Sequence, residues 1–183
     1  MVFWKHGYDA TSVAQLTDAM GIGAPSMYAA FGDKRALFEE ALLHYMKTHG
    51  TFMGRLFGEH FGEKSLRAAI TQLLRDAAAM FTSSDHPKGC MLISAATNCA
   101  PESASIAKRL RELRTSTVQA LEARIGAAIA RGELPEGLDA RALALYVSTV
   151  LQGLSAQARD GATRAELEAI VDTAMRAWPR TRR

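Results

Sequence analysis

The sequence has little of what extracellular and membrane-spanning proteins need. Only two cysteines occur among its 183 residues, Cys90 and Cys99, so the chain has no disulfide framework. If one continuous helix carried both, they would lie about 13 Å apart, which is too far to bridge. No apolar run reaches the roughly eighteen residues of a membrane span, and no secretory signal pattern is present. We therefore expect a cytoplasmic protein.

Residues that interrupt helices are also sparse. The chain has 5 prolines and 14 glycines, and apolar residues make up 48% of it. Alanine and leucine dominate while runs of β-branched residues are scarce, and this composition favours helix almost throughout. We expect an all-α protein, long enough for one sizeable core or two small ones.

Motifs of catalysis and metal binding are missing from the sequence. The histidines show no H-E-x-x-H or comparable ligand spacing; they are His6, His44, His49, His60 and His86. Serine and histidine occur in no recognisable triad context. We therefore predict no catalytic residue, no metal site and no cofactor, and a protein that is not an enzyme.

Positive charge is in short supply, with a net charge of only +3. Within the first 49 residues the acidic side chains outnumber the basic ones: Asp9, Asp18, Asp33, Glu39 and Glu40 against Lys5, Lys34, Arg35 and Lys47. That part of the chain lacks the basic footprint that binding to duplex DNA usually requires.

The most informative stretch spans residues 11–37, TSVAQLTDAMGIGAPSMYAAFGDKRAL. Ser12 and Gln15 have the spacing of a capping box, which predicts that a helix begins there. The next apolar residues recur three and four positions apart and share one face: Val13, Leu16 and Met20. Gly21 suits the left-handed position at the end of this helix, and Pro25 suits the first turn of a second one. Two short helices joined by a tight glycine-containing turn form a helix-turn-helix.

This stretch and its flanks resemble the DNA-binding domain of the TetR family of one-component transcriptional regulators. The matching residues occur together and in order: Gly7, Tyr8, Thr11, Ser12, Leu16, Gly21, Ile22, Tyr28, Phe31, Lys34, Leu37 and Phe38. In the family the first helix begins further upstream and follows a basic arm, so we interpret the N-terminus as shortened. The resemblance implies a helix-turn-helix DNA-binding domain at residues 1–47 and a helical ligand-binding and dimerisation domain at residues 48–183.

Apolar periodicity and capping signals predict the remaining helices of the chain. We expect them at residues 33–47, 64–81, 90–98, 101–131, 139–161 and 163–178. Asp33 and Asp139 are predicted caps, and Thr163 with Glu166 forms a second capping box.

The N-terminal part of the second helix of a helix-turn-helix enters the major groove of DNA. The predicted DNA-binding residues are Thr11, Ser12, Gly23, Ala24, Pro25, Ser26, Tyr28, Ala29 and Lys34. Met27 and Phe31 should instead pack against the preceding helix. The resemblance implies phosphate contacts from three places in this set: Thr11 or Ser12, the Tyr28 hydroxyl, and Lys34. Direct hydrogen bonding to bases is meagre on such a face, so affinity would rest on phosphates and groove shape.

The C-terminal part carries more large inward side chains than a simple helix bundle needs. This surplus, together with the resemblance, predicts a cavity for a small, mainly apolar effector. The predicted ligand-binding residues are Met53, Phe57, Phe61, Met80, Phe81, Met91, Asn98, Leu113, Thr117, Tyr146 and Gln152.

The apolar stripes of the last two helices predict the surface of a homodimer. The residues assigned to it are Leu143, Val147, Val150, Leu151, Leu154, Leu167, Ile170, Val171, Ala174 and Met175. By resemblance, the dimer is a repressor that binds a palindromic double-stranded operator and is released by a small molecule.

Two other functions stay open from the sequence. The sparse recognition helix and the short first helix also fit a helical ligand-binding module that has lost DNA binding. The two cysteines also fit a thiol-based redox regulator, although only Lys88 is a nearby group that would lower a thiol pKa.

Overall fold

The structure of the protein, a computed structural model, describes residues 1–57, 65–95 and 99–179, and of residues 55–57 the backbone alone. These residues form ten α-helices: α1 (Val2–His6), α2 (Val13–Met20), α3 (Ala24–Phe31), α4 (Lys34–Thr48), α5 (Thr51–Phe57), α6 (Leu66–Phe81), α7 (Met91–Ser94), α8 (Ala104–Ala130), α9 (Ala140–Arg159) and α10 (Arg164–Arg176). A 3₁₀ turn at Pro101–Ser103 leads into α8. None of the described helices is both long and apolar enough to cross a bilayer.

Side-chain caps determine where several helices begin. At α2, the Gln15 backbone N–H donates to Ser12 Oγ at 3.1 Å, and the Ser12 N–H donates to Gln15 Oε1 at 2.8 Å. A second capping box at Thr163 opens α10. Asp33 Oδ1 accepts the Ala36 N–H at 2.7 Å, and Asp139 caps α9 in the same way. Each cap satisfies an N–H that has no partner within its helix, and each confirms a prediction from the sequence.

Two predicted helices are shorter than expected. The residues of the predicted 90–98 helix that the structure describes form only α7, and Asn98 lies outside the described residues. The predicted 101–131 helix starts as the 3₁₀ turn at Pro101–Ser103 and becomes α-helical at Ala104.

The N-terminal helices share a core with two elements of the C-terminal part. Phe3, Leu16, Met27 and Phe38 of α1–α4 belong to this core. It continues through side chains of α7 and α8: Met91, Ile106 and Leu110. The core therefore crosses the boundary expected at residue 47, and α7 lies between the two halves of the chain.

A second core lies among α6, α8, α9 and α10. It buries most of the residues that the sequence assigned to the dimer surface: Leu143, Val147, Leu151, Leu154, Leu167, Val171, Ala174 and Met175. Their apolar stripes face the protomer's own bundle, so this assignment must be corrected. Periodicity identifies an apolar face of a helix but not which chain covers it. Of the ten residues, Ile170 is exposed and Val150 is half-buried.

Candidate nucleic-acid interface and effector cavity

The helix-turn-helix forms as its sequence predicts. Gly21 ends α2 in the left-handed conformation, at φ 65° and ψ 30°, and its N–H donates to carbonyls of the last turn. Gly23 follows as the extended N-cap residue of α3. Met27 is fully buried and Phe31 is half-buried against the N-terminal core. One side of α3 therefore packs against that core.

The other side of α3 faces solvent. Pro25, Ser26 and Ala29 are exposed, and the Tyr28 side chain is 47% exposed. Ser26 and Tyr28 are the two residues of α3 whose side chains can hydrogen-bond. An exposed aromatic hydroxyl beside a serine gives this helix few donors and acceptors, which suits phosphate contacts better than a detailed reading of base edges.

Thr11 and Ser12 differ in what their hydroxyls do. Thr11 is 1% exposed, and its hydroxyl donates to the Gly7 carbonyl at 2.6 Å. This position argues against the phosphate contact predicted for Thr11, because the side chain is buried and its proton is engaged. Ser12 is exposed, and while its Oγ accepts the capping hydrogen bond, its O–H remains able to donate.

Lys34 stands at the start of α4, directly after the Asp33 cap. Its Nζ lies over the ring of Tyr8, 4.4 Å from the centroid, at the distance of a cation–π contact. Burial lowers the pKa of Lys34, and the charge of Asp9 partly opposes that shift. The Tyr8 ring also packs edge-on against Phe38 in the core, at 5.2 Å between centroids. The ring that contacts Lys34 is therefore held in place by the core.

An aromatic cluster joins α1 to the C-terminal part. The Trp4 indole N–H donates to the Gly89 carbonyl at 3.2 Å, and its ring stacks on His86 at 4.5 Å. His49, at the end of α4, contacts both rings. Burial and the adjacent His86 lower the pKa of His49. The N-terminal helices are thereby attached to the loop between α6 and α7.

An apolar cavity of about 220 Å³ lies between the end of α4 and helices α5–α9. The residues that line it are Tyr45, Met46, Gly50, Phe52, Met53, Gly54, Phe81, Cys90, Leu92, Ile93, Leu113, Arg114, Ser116, Thr117, Ser148, Leu151 and Gln152. Among the predicted ligand-binding residues, this set contains Met53, Phe81, Leu113, Thr117 and Gln152.

Three other predicted ligand-binding residues lie elsewhere. Met91 is buried in the N-terminal core, and Met80 packs between the two cores. The Tyr146 hydroxyl donates to the Ala174 carbonyl at 2.9 Å on the far side of α9. Met91 is buried and Met80 and Tyr146 are half-buried, but none of the three faces the cavity. The Phe57 side chain, Phe61 and Asn98 lie outside the described residues.

Sequence reasoning predicted two polar residues of the cavity wall but missed Tyr45 and Arg114. The Tyr45 hydroxyl donates to Cys90 Sγ at 3.3 Å, and the Cys90 N–H donates to Ser155 Oγ at 2.9 Å. Arg114 lines the cavity from α8. The spacing Leu110, Arg114, Thr117, Leu121 placed this arginine on the inner face of its helix, and that signal was available in the sequence.

The surroundings of both cysteines raise the pKa of their thiols. Burial raises the pKa of Cys90, although the hydrogen bond from Tyr45 opposes this. Burial, reinforced by the charge of Asp9, also raises the pKa of Cys99. Both shifts disfavour the thiolate, which is the reactive form. These pKa shifts therefore lend no support to the thiol-based alternative.

The exposed faces of α9 and α10 carry apolar side chains that the protomer does not cover. Leu145 is 46% exposed and Ile170 is 39% exposed. Beside them is a shallow hollow lined by Tyr146, Ala169, Ile170, Thr173 and Ala174. Of the residues that the sequence assigned to a dimer, this surface includes Ile170, and Ala174 lines the hollow.

A helix-turn-helix joined to a helical bundle with an apolar cavity defines the class of ligand-binding transcriptional regulators. The sequence matches the family of bacterial regulatory proteins, tetR family, over residues 1–41, and the Tetracyclin repressor-like C-terminal domain over residues 66–178. The chain belongs to the TetR family of transcriptional regulators.

Individual relatives agree with this assignment. The HTH-type transcriptional repressor ComR of Escherichia coli (strain K12) is 37% identical over 179 residues, covering 97% of this chain and 84% of ComR. The HTH-type transcriptional repressor BdcR of the same strain is 31% identical over 161 residues, covering 88% of this chain and 75% of BdcR. A cysteine mutant of the TetR family regulator CifR, complexed with 26bp double-strand operator DNA, is 42% identical with a TM-score of 0.90, covering 97% of this chain and 91% of that one.

Proposed function

We propose that the protein is a homodimeric repressor of the cytoplasm, which binds a palindromic operator and releases it when a small effector fills the cavity. Residues 1–47 would bind DNA, and residues 48–183 would bind the effector and the second protomer. The observation that carries the proposal is the two-sided α3, with Met27 fully buried and Tyr28 47% exposed.

The DNA-binding surface consists of the exposed side of α3 and the residues next to it. We assign to it Ser12, Gly23, Ala24, Pro25, Ser26, Tyr28, Ala29 and Lys34, and leave out the buried Thr11. The complex of the related CifR mutant with operator DNA supports DNA binding by this chain. The first 49 residues carry no excess of basic side chains, which suits modest affinity that depends on phosphate contacts and groove shape.

The dimer would form through the exposed faces of α9 and α10. Leu145 and Ile170 are large apolar side chains beside a hollow of matching character. Across a twofold axis through this surface, the patch of one protomer would pack against the same patch of its partner, and both would be buried. Two recognition helices then meet half-sites about 34–36 Å apart, or a multiple of that distance.

Helix α4 would couple the effector to DNA. Its C-terminal end places Tyr45 and Met46 in the cavity wall, and its N-terminal end carries Lys34. The helix has 15 residues. At 1.5 Å per residue it is about 22 Å long, so a small displacement at the cavity moves the DNA-binding end. Such coupling is typically worth about 1–3 kcal/mol.

Operator binding by the full chain tests the proposed DNA-binding surface. We expect Lys34→Ala to weaken binding and to reduce the slope of log K against log salt by about 0.9, because one phosphate contact is lost. Lys108→Ala, an exposed lysine on α8, is the matched control and should change neither. Tyr28→Ala should weaken binding further than Tyr28→Phe. Failure of the wild-type chain to bind its operator would instead favour the ligand-binding module without DNA binding.

Sedimentation tests the proposed dimer surface. We expect Leu145→Glu to produce monomers, because it places a charge in the apolar contact. Leu43→Glu is the control, since Leu43 on α4 has the same 46% exposure. Monomers from the control, or dimers from Leu145→Glu, would contradict the proposed surface.

A further inference from the structure

Arg114 is the one charged residue that lines the cavity in the described part of the chain. The other lining side chains are apolar or neutral, with hydroxyls on Tyr45, Ser116 and Thr117 among them. No aspartate or glutamate from residues 1–57, 65–95 or 99–179 reaches the cavity wall. The part of the wall that the described residues form is therefore apolar, with one positive charge from Arg114.

The guanidinium of Arg114 has no carboxylate partner among the residues that the structure describes. Its Nη1 donates to the Leu92 carbonyl at 3.0 Å, which uses one of the five N–H donors of an arginine. Other arginines of the described chain do form ion pairs, namely Arg75, Arg109, Arg131, Arg141 and Arg164. Burial and the like charge of Arg111 lower the pKa of Arg114, as expected for a cation short of a counter-ion.

The cavity volume limits the size of what can bind. A cavity of about 150 Å³ accommodates benzene. At the same ratio, the 220 Å³ found here accommodates about nine non-hydrogen atoms. This size corresponds to a one-ring aromatic acid or a short aliphatic acid.

We propose that the effector is a small amphipathic anion, with one carboxylate on an apolar body of about nine non-hydrogen atoms, paired with Arg114. This inference rests on the proposed function, because the same cavity is the effector site. The carboxylate would accept two parallel hydrogen bonds from the guanidinium of Arg114, and the apolar body of the effector would pack against the apolar side chains of the wall. A neutral apolar effector would leave the guanidinium against an apolar surface without a counter-ion, and burying an unpaired charge is unfavourable.

Direct binding of acids and their neutral amides to the full chain tests the charge of the effector. The probes are benzoate and heptanoate against benzamide and heptanamide, which match each other in shape and have about nine non-hydrogen atoms. We expect calorimetry to give at least tenfold tighter binding for the acid of each pair. Amides that bind as tightly as the acids, or acids that fail to bind, would overturn the proposal.

Variants of Arg114 and Arg111 test which side chain causes the preference for acids over amides. Arg114→Met should remove the difference between acid and amide, and Arg114→Lys should keep part of it. Arg111→Met is the matched control, since Arg111 is exposed and outside the cavity wall, and the preference should persist in it. An acid preference that survives in Arg114→Met would also overturn the proposal. If Arg114→Met does not fold, loss of the preference in Arg114→Gln serves the same purpose.

Operator binding without any probe distinguishes this inference from the proposed function. A chain that binds acids through Arg114 but binds no operator refutes the repressor and leaves the ligand class intact. A chain that binds its operator but prefers the amides refutes only the anionic effector.

Discussion

Gly89 joins the N-terminal helices to the C-terminal bundle, and adding one methyl group there should disrupt that junction. The residue lies between α6 and α7 at φ +78°, in the left-handed region, and its carbonyl accepts the Trp4 indole N–H. A Cβ built at this position would lie 2.8 Å from the Ser155 carbonyl oxygen and 2.9 Å from Arg159 Cγ. Both neighbours belong to α9, and the backbone oxygen cannot move without bending that helix.

The destabilisation expected for Gly89→Ala has two parts. The left-handed conformation costs a non-glycine residue about 1–2 kcal/mol. Forcing a methyl group into a filled space costs about 1–3 kcal/mol more. We expect a loss of about 3 kcal/mol in the free energy of unfolding, which lowers Tm by about 6–12 °C for a chain of this length.

Gly137→Ala is the matched control for Gly89→Ala. Gly137 has φ +75°, but a Cβ there would meet nothing within 4 Å. This variant should therefore lose only about 1–2 kcal/mol, the part due to the backbone conformation.

Urea unfolding followed by circular dichroism measures both variants, at equal protein concentration because association contributes to stability. If Gly89→Ala were no more destabilising than Gly137→Ala, the loop and α9 would yield at no cost. The junction between the N-terminal helices and the C-terminal bundle would then adjust to the added methyl group, which would refute the cost predicted from the short contacts with α9.

Three further predictions concern a helix cap, a carboxylate and the support of Lys34. Ser12→Ala should lower the free energy of unfolding by about 1 kcal/mol, because α2 loses its cap, whereas Ser26→Ala should leave stability unchanged in the same urea experiment. The pKa of Glu133 lies below its ordinary value of 4.5, because the carboxylate accepts a backbone N–H of α6 and the hydrogen bonds of Arg131. Its stabilising effect is therefore present above pH 4.5 and lost as pH falls through the lowered pKa, so Glu133→Gln and wild type should differ in unfolding free energy at neutral pH and converge in acid. Tyr8→Leu should weaken operator binding about two- to fivefold beyond Tyr8→Phe when Lys34 is present, which corresponds to a cation–π contact of about 0.5–1 kcal/mol. The same loss in a Lys34→Ala background would show that the ring acts through packing alone.

The sequence by itself determined the local features of this protein. The caps at Ser12, Asp33, Asp139 and Thr163 act over three residues, and the left-handed Gly21 acts within one turn. Interactions of such short range are encoded by neighbouring residues, so the helix-turn-helix and most helix starts could be predicted without knowledge of the fold.

Only the tertiary structure decided which surface each apolar stripe meets. Val147 and Leu167 belong to apolar stripes that could have covered a partner, yet both are buried in their own protomer, while Leu145 and Ile170 remain exposed. Periodicity shows that a face is covered but not by what, because the spacing is the same in both cases.

The cavity and its charge also depend on the tertiary structure. Arg114 lies in the wall of a cavity that α4, α7 and α8 help to enclose, and Thr11 is buried with its hydroxyl donating to the Gly7 carbonyl. The spacing along α8 places Arg114 on an inward face, but packing between distant segments determines where space is left beside it, and the order of residues along one helix does not contain that information.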